Sequence, residues 1–580
     1  MAHLDYWTAW GTRLKNRFHA RLAVNSSPAT GFVSQPEPRT IGLYSRGQQI
    51  IAGNFLFAGS LVEDKEHSIW QLDAQNKSFE QDIQGFVWLD DLAAVGSHPA
   101  RRKAQDWLFE WIERYGKGRG PGWTPDLTGR RLIRWINHAI LLLNGQPSEK
   151  SEAYFASLAH QTVFLSRRWH VAAAGLPRFE ALTGLIYAGL ALTGMGGLVE
   201  PAIKALAREC REQIDDEGGI PTRNPEELLE VFTLLNWAAA ALTEAGKMAP
   251  REHLEAIGRI APTLRALRHA DGGLARFHGG GRGAEGRLDN ALAASGVKTA
   301  APEGLSMGYA RLHSGRTTLI VDGSAPPQGT SAHSAHASTV AFELTSGRRP
   351  LIVNCGTGAT FGEAWRRAGR ATASHSTLAL DGLASARIGS RGFVGGYERE
   401  LLTNVPTDVR VQYLVEDGVK GIVVGHNGYF QSHGLTHIRQ LELSASGRGV
   451  VGEDTLAAIS KADKRRFDKV MDRSKLKGIG FKIRFHLHPD VDAELDMGGT
   501  AVSMTLKSGE VWVFRHDGNA SLSLDPSVYL ENGRLKPRAT KQVVLSAVAL
   551  EYATRIRWTL AKAQTTPDNV RDLEREDSVA

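Results

Sequence analysis

The sequence predicts two domains in series, an α-helical one followed by an antiparallel β one, and three observations predict it. The chain has 580 residues, too many for a single hydrophobic core. Between about residues 85 and 265 the apolar residues recur at helical spacing. Beyond about residue 305 they alternate at a period of two, with turn signals such as EDGVKG, KSGE, HDGN and ENGR between the runs.

Residues 1 to about 60 are punctuated by glycine and serine and predict no defined local structure. From Gly85 the helical pattern begins. Leu132, Trp135, Ile136, Ala139, Ile140 and Leu143 form one helical face, and Leu228, Val231, Leu234, Leu235, Ala238 and Leu242 form another. Between them ALTGLIYAGLAL, Ala181 to Leu192, is apolar on most sides, as a buried helix is. Loops carrying glycine, proline or asparagine separate these segments, so the helices pair as antiparallel hairpins in a bundle or a ring. The run ADGGLARFHGGGRGAEGR exposes backbone N–H groups but lacks the Gly-Lys-Ser/Thr and the strand–helix frame of a phosphate cradle. It predicts a linker. In the β half, Phe481, Ile483, Phe485 and Leu487 alternate with Lys482, Arg484 and His486, and Val409, Val411 and Tyr413 alternate with Arg410 and Gln412. Strands without intervening helices make antiparallel sheets, most simply a large sandwich. The residues from about Gln564 predict a disordered tail.

Composition narrows the partners. Hydrophobic content of 42% and charged content of 23% are those of an ordinary globular chain, and a net charge of +7 favours an anionic partner. No nucleic-acid motif is present, so no nucleic acid is expected. Cys210 and Cys355, the only cysteines, make neither a disulfide scaffold nor a CxxC site. No segment reaches 18 uninterrupted apolar residues, so no membrane span is expected. MAHLDYWTAWGTRLKNRF carries no apolar signal core, which predicts a cytoplasmic protein, or a periplasmic one if a signal has been removed. Oligomeric state is left open.

Chemistry-bearing residues concentrate between Ser331 and Asp381. Three histidines, His333, His336 and His375, lie among short β runs, and Arg366, Arg367 and Arg370 precede the third. Imidazoles and guanidiniums brought together by a sheet suit an anionic substrate. In the helical half, Trp123, Arg130, Arg131, Trp135, Asn137 and His138 share one short window. Arg167, Arg168, Trp169 and His170 share another. Indoles stack on sugars and guanidiniums bind carboxylates or sulfates. The alternative is that the tryptophans are core and the arginines a solvated face, and Trp135, on the apolar stripe, is read as core.

Together, His-x-x-His at His333, Asn354-Cys355-Gly356 at a strand end, Ser374-His375-Ser376-Thr377, HNGYFQSHGLTHIRQ from His426, RFHLHP from Arg484 and DPSVYLENGRLKPR from Asp525 resemble the heparinase II/III superfamily of polysaccharide lyases. The resemblance spans most of the chain from about residue 80. It implies an N-terminal segment (1–80) packed on an incomplete α/α toroid (81–275), a Gly-rich linker (276–304), an antiparallel β-sandwich (305–563) and a tail (564–580). The substrate cleft would run between toroid and sandwich. The implied chemistry is β-elimination on a uronate-containing polysaccharide, by a neutraliser of the carboxylate, a base for the C5 proton and an acid for the leaving oxygen.

Several of the family's positions differ here. Pro177-Arg178 stands where members carry Asn-His. Asn224-Pro225-Glu226-Glu227 stands for Ser-Pro-x-Tyr, which puts Glu227 at the catalytic tyrosine's place. The resemblance therefore implies Arg178, Asn224, Glu227, His333, His336 and Tyr429 as the catalytic set, with His333, His336 or Tyr429 as base. Trp123, Arg131, Asn137, His138, Arg366 and Arg370 are the substrate-binding set. No cofactor is required. Some members hold a structural zinc; His336 and His375 match two ligands, but Asn354 stands where the third ligand is aspartate. The expectation is zinc well below one equivalent, with His336 and His375 joined through hydrogen bonds involving Asn354. Two alternatives to a lyase stand: a glycoside hydrolase using Glu227 with a second carboxylate, and a non-catalytic protein that binds an acidic glycan or assembles a cell-surface polysaccharide.

Overall fold

In the computed structural model, which describes residues 2–34, 37–394, 397–416, 418–531, 534–564, 566 and 572, helices fill the first half and antiparallel strands the second. The order is the one periodicity predicts. The expected tail from Gln564 lies almost wholly outside the described residues.

The helices begin where cap chemistry starts them. Asn76 accepts from Phe79 N and opens Lys77–Gln84, and Ser97 accepts from Ala100 N and opens His98–Tyr115. Pro125, Pro177 and Pro225 stand in the first turns of Pro125–Asn137, Leu176–Ala191 and Pro225–Glu244, where a missing N–H costs nothing. Pro125–Asn137 and Leu176–Ala191 meet backbone to backbone: a Cβ on Gly184 would lie 2.5 Å from Gly129 Cα, so both glycines are required. The face read through Leu132 and Leu143 is interrupted. His138 leaves helical geometry between Pro125–Asn137 and Ala139–Leu143, and Ile140 turns out to solvent.

Three further differences bear on the site. Residues 2–23 form a helix, Ala2–Ala23, and Asn54–Phe57 pairs with Ser60–Glu63 in a hairpin. The hairpin's turn lies on the sandwich, where a Cβ on Gly59 would overlap Thr360 O. The Gly-rich segment is not a bare linker, since it holds the helix Arg287–Ser295 and buries His278. The β half also carries helices among its strands, Glu363–Gly369, the short Phe430–His433 and Lys461–Arg473, the last opened by a Ser460–Asp463 capping box.

The sandwich is an eight-stranded sheet facing a nine-stranded one, all paired antiparallel. Burial along Leu435–Leu443 alternates strictly, with Leu435, His437, Arg439, Leu441 and Leu443 inward. Phe342, Phe485, Phe514 and Trp558 pack between the sheets, with Phe485 and Trp558 centroids 4.7 Å apart. Arg439 crosses the same space. It is fully buried, donates to Val340 O and Ser376 O of the facing layer, and is neutralised by Asp454. A separate hairpin, Arg387–Val394 with Tyr397–Thr403, stands off the sandwich and packs Leu402 against Ala332, Ala335 and Ala337.

Candidate functional site between toroid and sandwich

The two domains are joined at a charged seam. Arg223, held at a left-handed φ of 50°, donates to Asp322 Oδ1 at 2.6 Å and to the carbonyls of Met307, Gly308 and Ala325. Asp322 Oδ2 also accepts from Ser338 Oγ at 2.7 Å. His278 lies on this pair and accepts His336 N at 3.1 Å through Nδ1. Burial, then Arg223 and His375, holds the His278 imidazole neutral, well below the ordinary histidine range.

Asn224 follows Arg223 and caps Pro225–Glu244. Its Oδ1 accepts from Glu226 N (3.0 Å) and Glu227 N (3.2 Å), so its amide N–H groups are not used in the cap. The loop after His278 crosses closely over it. A Cβ on Gly280 would lie 2.4 Å from Asn224 Oδ1. One on Gly279 would lie 3.2 Å from Ser334 Cβ and 3.9 Å from Asn224 Nδ2. The glycine run lets this loop pass between Asn224 and the Ser334 turn. Gly281 N then donates to Glu226 Oε2 at 2.7 Å.

Glu227 points the other way, toward the start of Leu176–Ala191, with Oε1 4.0 Å from where a Cβ on Gly175 would be. No cation pairs with it among the described residues. Burial raises its carboxyl to about 7, and the nearby Glu180 charge adds to the rise. Glu180 itself is held by Arg130 Nε at 2.6 Å. Arg178 is engaged as well: it donates to Glu209 Oε2 at 3.0 Å and to Ala172 O, which leaves only its buried Nε without a partner. A guanidinium already neutralised by Glu209 is a poor neutraliser for a substrate.

Across the boundary, His333 ends the 3-10 turn Gly329–His333. Its Nδ1 lies 2.9 Å from Thr330 O, which fixes Nδ1 as the N–H donor and leaves the lone pair on Nε2. Burial and then the charges of Arg399 and Arg370, opposed by the Thr330 bond, lower its pKa. His336 is different. It is buried, 5.2 Å from His375 ring to ring, and its Nδ1 has no partner.

The expected hydrogen bonds through Asn354 are not formed. Asn354 Oδ1 accepts from Ser376 N and Nδ2 faces Glu343, while both His375 ring nitrogens are unpartnered. Two imidazoles and an engaged amide do not make a zinc set, and among the described residues no cluster of histidine, cysteine and carboxylate suits a metal ion.

Other expected residues lie away from the boundary. Tyr429 is in the sandwich core, donating to Leu378 O at 2.9 Å, because its strand position faces the opposite sheet. Trp123 is in the toroid core and donates to Tyr115 O. Arg131 is fully buried, bound to Gln161, Gln84 O and Gly122 O, and stacked 4.2 Å over Trp111. Asn137 is buried and His138 is held by Asp90 at 2.9 Å. Arg366 pairs with Glu363 and Glu400, and the buried Arg370 ties Ala332 O, Ala335 O and Glu400 O together. Trp123, Arg131, His138, Arg366 and Arg370 are thus engaged within the fold, while both side-chain polar atoms of Asn137 are buried without a partner.

The cleft itself, about 650 Å³, opens between the N-terminal hairpin, the 276–284 loop and the sandwich at Gly356, Tyr529, Leu530, Glu531, Arg534 and Leu535. Arg46, Arg276, Arg282 and Arg534 line it with Glu63, Glu226 and Glu531. Arg276 lies 5.0 Å over Tyr529 and keeps a buried Nη1 without a partner. Sequence reasoning missed these residues, although the basic, glycine-broken run RFHGGGRG was a signal for Arg276 and Arg282.

Residues 296–559 match the family model "Heparinase II/III-like, C-terminal". Over most of its length the chain is similar to "FtsZ-localized protein C" of Caulobacter vibrioides, 29% identical over 560 residues, which covers 94% of this chain and 92% of that one. Among solved structures it is similar to heparinase III (TM-score 0.67, 13% identity, 94% of this chain and 88% of that one). It is also similar to a mutant heparan sulfate lyase HepC from Pedobacter heparinus (TM-score 0.57, 14% identity, 96% and 89%).

Proposed function

We propose that this chain, whose residues 296–559 match the heparinase II/III-like C-terminal family model, takes an acidic, uronate-containing glycan between toroid and sandwich and cleaves it by β-elimination. The observation that carries this reading is Glu227, a buried carboxyl with no pairing cation among the described residues, raised to about 7; the sequence resemblance sets it where family members carry a catalytic tyrosine. A group half-protonated near neutrality is suited to donate a proton.

The remaining roles follow from free valences. An Asn224 Nδ2–H meets the uronate carboxylate and makes the C5 proton more acidic. The neutral His333 takes that proton on Nε2. The electron pair from the C5–H bond forms the C4–C5 double bond, the C4–O bond breaks, and Glu227 protonates the departing oxygen. Arg276 and its neighbours in the cleft supply positive charge along the chain.

One observation favours a second reading. The likeness to the Caulobacter protein is 29% over nearly the whole chain, against 13–14% to the lyases, and that protein's name places it with FtsZ. In this reading the cleft binds an acidic glycan without cleaving it. Incubation with a panel of acidic polysaccharides separates the two. Ultraviolet absorbance of unsaturated uronates is expected from at least one glycan, and its loss in Glu227→Gln and in His333→Ala. Binding with no such absorbance on any glycan favours the second reading, and new reducing ends without absorbance mean hydrolysis.

A further inference from the structure

We infer that the N-terminal helix, Ala2–Ala23, is a seat for an anionic lipid surface. Trp10, Leu14, Phe18 and Leu22 recur every fourth residue and drift only ~40° per step around the axis, so they form one stripe. The stripe faces outward: Leu14 is 43% exposed, Phe18 63% and Leu22 44%, with Trp10 at 48%. Single exposed apolar residues are ordinary, whereas an aligned row along one helix face is not.

The inward face is already satisfied. Asn16, Ala20 and Ala23 are buried, the helix packs on Ser148–Arg168 and also meets the hairpin strand Arg387–Val394, and Arg168 Nε donates to Asn16 Oδ1 at 2.8 Å. The outer stripe is therefore not a contact that the toroid needs.

Charge selects the occupant. Arg13, Arg17 and Arg21 run along one edge of the stripe and Lys15 lies on the other, all exposed, and no carboxylate occurs between Trp10 and Ala23. An apolar stripe edged by cations is the pattern of a helix lying in a lipid interface, rings and alkyl chains immersed and cationic heads at the phosphates. A second copy of the chain would set this cationic border against itself, which opposes a symmetric contact. Among the described residues no helix is long and apolar enough to cross a membrane, so the helix would lie on the surface. The inference is independent of any catalytic role of the cleft.

Flotation of the full-length protein with vesicles tests it. The protein is expected to rise with phosphatidylglycerol–phosphatidylethanolamine vesicles, to bind phosphatidylcholine vesicles much less, and to be released by salt. Phe18→Glu with Leu22→Glu lowers partition about a hundredfold. Arg17→Gln with Arg21→Gln keeps the stripe and lowers it roughly fivefold per charge. Both pairs are at exposed positions, and their thermal unfolding is expected to match the parent; if the glutamate pair unfolds early, the glutamine pair decides. No flotation of the parent protein, or flotation unchanged in both pairs, overturns the proposal. So does self-association or acidic-peptide binding that the glutamate pair abolishes while vesicles remain unbound.

Discussion

Two carboxylates show how differently the halves of this molecule use burial. Asp454, between the sheets, accepts from Arg439 Nε (2.8 Å) and Nη2 (3.1 Å), His437 Nε2 (2.7 Å) and Trp558 Nε1 (3.0 Å). Burial pushes its carboxyl up, but Arg439 and His437 outweigh that and hold it well below the usual range. Glu227, at the start of a toroid helix, has Glu180 nearby and no pairing cation among the described residues, and burial raises it to about 7. The same low-dielectric cost is cancelled in one place and left standing in the other. A cancelled charge ties two sheets together, while an uncancelled one is available for proton transfer.

Breaking the first arrangement has the largest expected effect. Asp454→Asn leaves Arg439 charged and buried without its partner, at a cost of about 3–5 kcal/mol, measured by urea unfolding at neutral pH. The sign in pH follows from the lowered pKa. Asp454 stabilises the fold above the ordinary carboxylate pKa, and that contribution is lost as pH falls below about 4. The variant is expected to be less stable at neutral pH and to lose less on acidification. Equal stability of both proteins at pH 7 would show that the cluster is not a strut.

Glu227→Gln moves stability the other way, by less. A carboxyl raised from 4.5 to about 7 binds a proton more tightly in the folded chain. Its stabilising effect is complete below the unfolded pKa and is lost as pH rises through about 7. The amide removes this loss, so the variant is expected to be more stable than the parent at pH 8 by about 1–3 kcal/mol and indistinguishable at pH 4. Melting curves across that range check it, alongside the loss of elimination product.

The comparison also explains what the sequence made legible. Both domains follow from periodicity, because a period of 3.6 or 2 is set by which face is buried. His437 and Arg439 lie in a motif that resembles the family, yet nothing in one chain says that they face Asp454 between the sheets. Trp123, Arg131 and Asn137 looked like a sugar platform because aromatic and guanidinium groups also associate inside proteins, as Arg131 does on Trp111. His278 was hidden in a glycine run read as a linker. The N-terminal helix went unseen because its apolar stripe is directed away from the core and interrupted by arginines.

A smaller effect is expected at Arg366, which the sequence offered as a substrate ligand. Its guanidinium pairs with Glu363 and Glu400 near the surface. Arg366→Gln is expected to cost no more than about 1 kcal/mol and to leave glycan affinity unchanged in calorimetry. A tenfold loss of affinity would restore it to the binding surface.

The least change is expected at the histidine pair. His336 and His375 stand 5.2 Å apart, ring to ring, with unpartnered nitrogens. Taken alone, that geometry would invite a zinc ion. A dication there would also need anionic or further imidazole ligands. The position between them holds Asn354, whose oxygen accepts from Ser376 N and whose nitrogen faces Glu343. Cys355, next in sequence, has its thiol against His486 and Ser527, and burial raises it to about 11. A thiol so raised is not a ready thiolate ligand. Purified protein is therefore expected to carry zinc at well below one equivalent, with no change in metal content in His375→Ala. Stoichiometric zinc by elemental analysis, lost in His375→Ala, would show that this chain recruits a ligand its buried asparagine does not supply.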